Sequence, residues 1–141
     1  MKISEILRHK GSDVATIAPS ATVRDLVAAL AEHNIGALVV CDSDSAVLGI
    51  VSERDVVRRL VDGADVLDTE VAEIMTTDVA ICHSSSSVDD LRIEMTERRI
   101  RHLPVVDDGV LVGIVSIGDV VKSTINTLEF ERDQLTDYVN K

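Results

Sequence analysis

Two stretches of the chain carry the same order of apolar and polar positions. Residues 48–58, LGIVSERDVVR, recur as residues 112–122, VGIVSIGDVVK. Each stretch is typical of an apolar strand that ends in a Ser-x-x-Asp turn, after which a helix begins. A repeated supersecondary unit buries its apolar face against its neighbour. The pattern therefore predicts two pseudo-symmetric units packed as one module, with two equivalent clefts.

The repetition covers the rest of each unit as well. Thr22 and Ser87 each stand three residues before an acidic residue, which is typical of a capped helix start. Each copy begins with an opening helix at 3–7 or 71–75, a first short strand at 13–15 or 78–80, and a helix after residue 22 or 87. A second strand follows at 35–40 or 100–105, and the third strand and last helix are those of residues 48–58 and 112–122. Each unit is thus predicted to be α-β-α-β-β-α, which gives an α/β (α+β) fold.

The domain boundaries follow from the polar segment after Leu60. Residues 61–70 are polar enough for a loop, so we predict repeat 1 at 1–62, a linker at 63–70, repeat 2 at 71–125 and a C-terminal helical extension at 126–141.

The last helix is predicted to continue past Lys122 to about Val139. Apolar residues follow it at 4-3-7-4 spacing, namely Val121, Ile125, Leu128, Leu135 and Val139. This seam is short for a coiled coil. A helix docked on its own domain and a surface for self-association are both open interpretations.

Composition narrows the function classes. The 141 residues are 45% apolar but almost entirely aliphatic, with Phe130 and Tyr138 as the aromatic residues. Few aromatics and a net charge of −11 disfavour nucleic-acid and anionic-membrane surfaces. No apolar run approaches the ~20 residues of a membrane span, and no signal-peptide core is visible, so we expect a soluble, cytoplasmic protein. Cys41 and Cys82 stand alone, which predicts buried thiols without a metal or redox role.

The two Ser-x-x-Asp turns, Ser52 to Asp55 and Ser116 to Asp119, are the main candidates for chemistry. Such a turn is also a capping motif that satisfies free N–H groups at a helix start. Alternatively, a carboxylate at a helix start beside a cleft could accept two hydrogen bonds from the vicinal hydroxyls of a ribose. Spacing alone leaves both interpretations open.

Basic residues are concentrated near these turns. Residues 52–60 contain Arg54, Arg58 and Arg59, and residues 98–102 of the other copy contain Arg98, Arg99 and Arg101 with His102 beside them. If the copies pack face to face, these groups could bind a phosphate through guanidinium forks and helix N–H groups. The alternative is an exposed basic face paired with the many acidic residues. No nucleophile, metal-ligand or phosphate-loop motif is present, so we expect no enzyme activity.

The sequence resembles a tandem pair of CBS domains, the Bateman module, and in particular stand-alone bacterial CBS-pair proteins. The matching stretches are residues 35–40, 49–55, 100–106 and 113–119. The resemblance implies clefts that bind adenosine-containing molecules: AMP, ADP, ATP, NAD(H) or S-adenosylmethionine. It also implies that the Ser-x-x-Asp aspartate, here Asp55 or Asp119, holds the ribose.

The resemblance further implies that each cleft combines one turn with the first and second strands of the other copy. The Asp55 cleft would then consist of Ser52, Arg54, Asp55, Thr77, Val79, Ala80, Ile100, Arg101 and His102. The Asp119 cleft would consist of Lys10, Val14, Ala15, Ile35, Gly36, Ala37, Ser116 and Asp119.

The two clefts are not expected to be equivalent. Gly36 and Ala37 stand where the second copy has Arg101 and His102, so the Asp119 cleft lacks those phosphate donors. The first copy also has three extra residues after its opening helix, within Arg8, His9, Lys10 and Gly11. We predict a basic loop there, from which Lys10 compensates for the missing donors.

The predicted function is a regulatory module that senses an adenine nucleotide, with AMP as the expected ligand and no obligatory cofactor. Ligand binding would shift the relative arrangement of the two repeats or of two modules in a homodimer. The runner-up is a scaffold that binds a protein partner through the C-terminal helix, with vestigial clefts. The regulated partner and its pathway are not predicted.

Overall fold

The computed structural model describes residues 1–11 and 13–140. In chain order its elements are α1 (Ile3–Lys10), β1 (Thr16–Ile17), α2 (Val23–His33), β2 (Ala37–Cys41), β3 (Val47–Ser52), α3 (Glu53–Leu60), two 3₁₀ segments (Ala64–Asp68 and Val71–Glu73), α4 (Val88–Arg98), β4 (His102–Asp107), β5 (Val110–Ser116) and α5 (Ile117–Val139). The predicted α/β fold is confirmed. The polar segment predicted to be a loop contains the first 3₁₀ segment.

The strands pair in the same order in both halves. β2 lies between β1, which is parallel to it, and β3, which is antiparallel. β4 and β5 are antiparallel in the same way as β2 and β3. Cys82 forms a single parallel bridge with Val105, at the place where β1 pairs with β2 in the first half. This correspondence confirms the internal repeat.

The predicted helix starts are confirmed by their caps. Thr22, Ser52 and Ser116 are N-caps with reciprocal capping boxes at α2, α3 and α5. Ser87 caps α4 by accepting a hydrogen bond from the N–H of Asp90. Each cap satisfies N–H groups that have no partner within the helix, and therefore fixes where that helix begins.

The predicted position of the first strand is wrong in both copies. Residues 13–15 and 78–80 precede the paired residues, which are Thr16 and Ile17 in the first half and Cys82 in the second. A strand of two residues is too short for an alternating pattern to locate it. Its position is set instead by pairing with the fully buried strand β2, where Thr16 lies opposite Val39.

The predicted basic loop is also wrong. Arg8, His9 and Lys10 form the last turn of α1, where basic side chains interact favourably with the helix dipole. Gly11 ends the helix with a φ of +95° and donates its N–H to the carbonyl of Leu7. The corresponding segment of the second copy forms only the 3₁₀ segment Val71–Glu73. The insertion therefore lengthens the opening helix.

The opening segment of each repeat packs in the core of the other repeat. Ile3 and Ile6 of α1 are buried with residues of the second copy, namely Cys82, Val88, Leu91, Met95, Leu103, Val105, Val115 and Val120. Val71 and Ile74 are buried with residues of the first copy, namely Val23, Leu26, Leu30, Leu38, Val40, Val51, Val56 and Val66. We refer to the core around β1–β3 as the first lobe and the core around β4–β5 as the second lobe.

Two glycines allow the exchanged segments to cross the sheets. A Cβ atom on Gly49 of β3 would lie 2.7 Å from the carbonyl oxygen of Thr76 and 2.8 Å from the sulfur of Met75. A Cβ atom on Gly113 of β5 would lie 2.6 Å from a methyl carbon of Leu7. Both distances are shorter than van der Waals contact, so a side chain at either position would require the Thr76 backbone or the end of the Leu7 side chain to shift.

Helix α5 packs on the second lobe only through its first turns. Val120 and Ser123 are its buried residues, whereas the predicted apolar seam is 47% exposed at Val121 and 78% exposed at Val139. Docking on its own domain therefore accounts for the first turns of α5 and not for the seam. No helix within the described ranges has the length and apolar content needed to cross a membrane.

Candidate functional site

The Ser52–Asp55 turn uses one oxygen of the Asp55 carboxylate for capping. Oδ2 of Asp55 accepts hydrogen bonds from the N–H of Ser52 at 2.8 Å and from its hydroxyl at 3.1 Å. The capping interpretation of the motif is thus observed. Among the described residues, no donor is assigned to Oδ1 of Asp55. Capping and ligand binding are therefore compatible at this residue.

The Ser116–Asp119 turn has the same backbone arrangement and one additional partner. Oδ2 of Asp119 accepts the N–H of Ser116 at 2.9 Å, and Nζ of Lys10 lies 2.6 Å from the same oxygen. The Lys10 ammonium also donates to the carbonyl of Ile114 at 2.9 Å. Burial raises the pKa of Asp119, but the hydrogen bonds from Lys10 and Ser116 outweigh it and leave this pKa below its usual value. The carboxylate is ionised and neutralised by a cation of the same chain.

His102 lies between the two turns. It is half-buried and stands opposite Ser116 in the β4–β5 ladder. Burial lowers its pKa, the charges of Lys10 and Arg101 lower it further, and Asp119 and Glu53 oppose this shift. Charged groups from both turns therefore act on His102, and its imidazole is neutral near pH 7. In that form it offers one N–H donor and not a full positive charge.

Arg54, Ile100 and Arg101 come together as predicted from the resemblance. They line a cavity of 510 Å³ together with Met95, Thr96, Arg99 and Ile117. Arg54 belongs to the Ser52–Asp55 turn, whereas Arg99 and Arg101 come from the second copy, so the cavity combines both repeats. Arg54, Arg99 and Arg101 give this cavity a basic lining that suits an anion, and Asp55 is the chain neighbour of Arg54 without being one of the lining residues.

The other predicted members of the Asp55 cleft do not line this cavity; they are Ser52, Asp55, Thr77, Val79, Ala80 and His102. Thr76 exchanges two backbone hydrogen bonds with Ile50, which places the exposed residue Thr77 just beyond β3. Val79 and Ala80 are half-buried, and Ala80 packs against the second core.

The predicted members of the Asp119 cleft are only partly brought together. Lys10 and Asp119 line a cavity of 310 Å³ between α1 and α5, together with Met1, Glu5, Ile6, His9, Lys122, Ser123 and Asn126. Val14 lines a different cavity, of 730 Å³, near the β2–β3 hairpin, and Ala15 packs on the first core. Ile35, Gly36 and Ala37 lie at the start of β2, where the carbonyl of Gly36 accepts the N–H of Glu53 at 2.9 Å.

Two groups near the turns were missed by sequence reasoning. The Glu53 carboxylate lies next to Gly36, where a Cβ atom would be 3.5 Å from its Oε1. Its negative charge raises the pKa of His102. Its counterpart in the repeat is the apolar residue Ile117, and this charge difference between aligned positions was a usable signal. The carbonyl of Ile114, which holds Lys10, carries no side-chain signal at all.

The two cysteines are buried and free. Burial raises the pKa of the Cys82 thiol to about 12, with further contributions from Glu94 and Asp107. Burial also raises the pKa of Cys41. Thiolate chemistry is therefore disfavoured at both positions.

Two repeats with exchanged opening segments, each with one capped Ser-x-x-Asp turn, define a tandem-repeat module with two related clefts. A family model, CBS domain, matches residues 3–62 and 71–125. The chain belongs to the CBS domain family, with one copy in each matched segment.

Known proteins agree with this assignment. CBS domain-containing protein CBSX3, mitochondrial, from Arabidopsis thaliana is 35% identical over 146 residues, which cover 97% of this chain and 71% of that protein. The crystal structure of the CBS-domain containing protein ATU1752 from Agrobacterium tumefaciens has a TM-score of 0.84 at 42% identity, and the match covers 88% of this chain and 99% of that one. The CBS domain pair of protein MJ0100, in complex with 5′-methylthioadenosine and S-adenosyl-L-methionine, has a TM-score of 0.77 at 28% identity over 90% of this chain and 98% of that one.

Proposed function

We propose that this protein is a regulatory module that binds an adenine nucleotide and changes its conformation or partner binding when the ligand is present. The observation that carries the proposal is a basic cavity lined by both repeats, to which the capped turn of Asp55 contributes Arg54. Oδ1 of Asp55 remains available beside the capped turn, and Arg54 and Arg101 line a cavity shared by both repeats. The complex of MJ0100 with two adenosine compounds supports the same ligand class.

AMP is the proposed ligand of the Asp55 cleft. The ribose hydroxyls would donate to the Asp55 carboxylate, and the phosphate would accept hydrogen bonds from the guanidinium groups of Arg54 and Arg101. ADP, ATP and NAD(H) carry the same adenosine phosphate and are the alternatives. A neutral adenosine compound would use the aspartate without the arginines and would therefore bind more weakly.

The module is proposed to act by binding and not by catalysis. The hydroxyls of Ser52 and Ser116 already serve as caps at α3 and α5. Because the basic cavity is lined by both repeats, a bound ligand favours the arrangement of the lobes that gives it better contacts. Such a shift is a direct route from nucleotide concentration to the surface that a regulated protein would contact.

A homodimer is part of this proposal, and a protein-binding scaffold is the second candidate. Both are supported by the exposed apolar residues of α5, including Leu128 at 60%, Leu135 at 66% and Val139 at 78% exposure. In a sensor, the seam would join two modules. In a scaffold, it would bind another protein and the clefts would stay empty.

Isothermal titration calorimetry with AMP and adenosine tests the proposed function. We expect wild-type protein to bind AMP, and Asp55→Asn to bind it at least about tenfold more weakly, because a ribose–carboxylate hydrogen bond contributes on the order of 1.5–3 kcal/mol. The asparagine keeps an acceptor for the N-cap and so limits the loss of stability. Thermal unfolding of both proteins provides the control. AMP binding that is equal in wild type and in the Asp55→Asn and Asp119→Asn variants would contradict the ribose role.

A further inference from the structure

The second lobe contains a charged side chain where the first lobe uses only backbone. In the first lobe, Ile50 and Thr76 exchange two backbone hydrogen bonds, at 3.0 and 2.9 Å. In the second lobe, the carbonyl of Ile114, which is the repeat counterpart of Ile50, accepts a hydrogen bond from Nζ of Lys10 at 2.9 Å. The insertion that lengthens α1 therefore replaces a neutral N–H donor with an ammonium group.

The same ammonium neutralises the carboxylate of the second turn. Lys10 Nζ lies 2.6 Å from Oδ2 of Asp119, and the two side chains are 34% and 24% exposed. Asp55 has no ion pair within the described residues, and its Oδ2 is held by Ser52 alone. The two turns therefore have equal caps and unequal charge.

We propose that Lys10 is an internal occupant of the Asp119 cleft, whose ammonium neutralises the carboxylate and competes with a ribose for it, so that the Asp55 cleft fills first. This inference rests on the proposed function, because it concerns the regulation of the same pair of clefts. In this inference Lys10 opposes ligand binding at the Asp119 cleft, whereas the role predicted from sequence has Lys10 help to bind a phosphate. A ligand that does enter the Asp119 cleft releases the end of α1 from β5 and α5.

The test is adenosine affinity in an Asp55→Asn background, where binding to the Asp55 cleft is weakened and a change caused by Lys10 reports the Asp119 cleft. Adenosine is the probe because it has a ribose and no phosphate. Lys10→Met retains most of the aliphatic stem and removes the charge. We expect it to increase adenosine affinity about three- to tenfold, the range for loss of a partly exposed ion pair with a charged hydrogen bond. Arg8→Met is the matched control, since it makes the same change of charge on the same helix turn, and we expect it to leave the affinity unchanged.

AMP separates the two roles of Lys10. If Lys10→Met weakens AMP and leaves adenosine unchanged, the residue binds phosphate and the inference is wrong. Unchanged or weaker adenosine binding in Lys10→Met also overturns it. Lys10→Gln retains a donor for the Ile114 carbonyl and replaces the methionine variant if thermal unfolding shows that the latter is not folded. If the wild-type protein binds neither adenosine nor AMP, the proposed function itself fails, and that result is visible before any substitution is made.

Discussion

At each Ser-x-x-Asp turn, a single carboxylate oxygen closes the capping box, which leaves the aspartate able to serve a ligand at the same time. Asp55 and Asp119 both use Oδ2 for the N–H of the capping serine. Because capping occupies only one oxygen of each carboxylate, sequence spacing could not decide between a cap and a ligand site. For the same reason, an alanine substitution would mix a cap loss of about 1 kcal/mol with any loss of ligand binding.

The role of Arg101 can be separated from the shape of the cleft by comparing two ligands. Arg101→Ala is expected to weaken AMP binding about ten- to hundredfold and to change adenosine binding little, because a charge-assisted hydrogen bond to phosphate contributes ~1.5–3 kcal/mol. Calorimetry at two salt concentrations adds a check, since screening should weaken AMP more than adenosine. Equal losses for both ligands would mean that Arg101 shapes the cavity and does not bind phosphate.

His102 gives the fold a dependence on pH. Its pKa is lowered from 6.5 in the folded protein, chiefly by burial, so the unfolded chain binds a proton that the folded chain does not bind. Stability should therefore decrease as the pH falls from about 7 to 5, and His102→Gln should reduce this decrease. Urea unfolding at several pH values measures it. A contribution from Asp119 would appear only at lower pH, because its folded pKa lies below the usual 3.8. The same slope in wild type and His102→Gln would contradict the prediction.

At the scale of elements, the crossings of the exchanged segments are the most restrictive contacts. At Gly49 the crossing atom is the backbone carbonyl oxygen of Thr76, which cannot move without disturbing the hydrogen bond it accepts from the N–H of Ile50. At Gly113 it is the end of the flexible side chain of Leu7. The two glycines are equivalent in the repeat and unequal in what a methyl group would meet.

Alanine at these two positions should therefore have different costs. We expect Gly49→Ala to lower the free energy of unfolding by about 2–3 kcal/mol and Gly113→Ala by about 1 kcal/mol or less, within the usual range for overpacking. Chemical denaturation of both variants measures the difference, and circular dichroism confirms that each is folded. If Gly113→Ala lowers the free energy of unfolding more than Gly49→Ala does, the Thr76 backbone accommodates a methyl group more easily than Leu7 does, and the prediction is wrong.

The sequence predicted the repeat and the helix starts because these depend on local signals, namely apolar order and capping residues. It misplaced the first strands, because their position depends on pairing with β2 and not on their own two residues. Sequence analysis also treated Arg8 to Lys10 as a loop because these residues are an insertion relative to the other copy. An insertion can extend a helix without interrupting it, and α1 continues through Lys10. For the candidate site, Arg54 and Arg101 were placed together, whereas the Lys10–Asp119 contact depends on a helix length that no motif records.

At the scale of the whole molecule, α5 extends its exposed apolar seam away from the second lobe. Leu128 and Leu135 are each more than half exposed, although they belong to a helix whose first turns are buried. Two copies that paired along this seam would remove that surface from water and would place four CBS repeats in one assembly.

Pairing along α5 predicts the mass of the particle in solution. We expect light scattering at micromolar concentration to give about twice the monomer mass of 15.3 kDa. Leu128→Glu with Leu135→Glu should shift the protein to the monomer, because it places charges on the seam. Gln134→Glu, a polar position on the same helix, is the control and should remain dimeric. A wild-type monomer, with and without AMP, would contradict the prediction.

The exchange of opening segments also has a consequence for folding. Residues 3–10 complete a core whose other members begin at Cys82, so the second lobe cannot close until both ends of the chain have been synthesised. Contacts this distant in sequence close large loops and slow the folding transition. They also leave neither half of the chain with a complete core of its own. The protein should therefore melt as one calorimetric unit, and a fragment containing residues 71–140 alone should lack a cooperative transition.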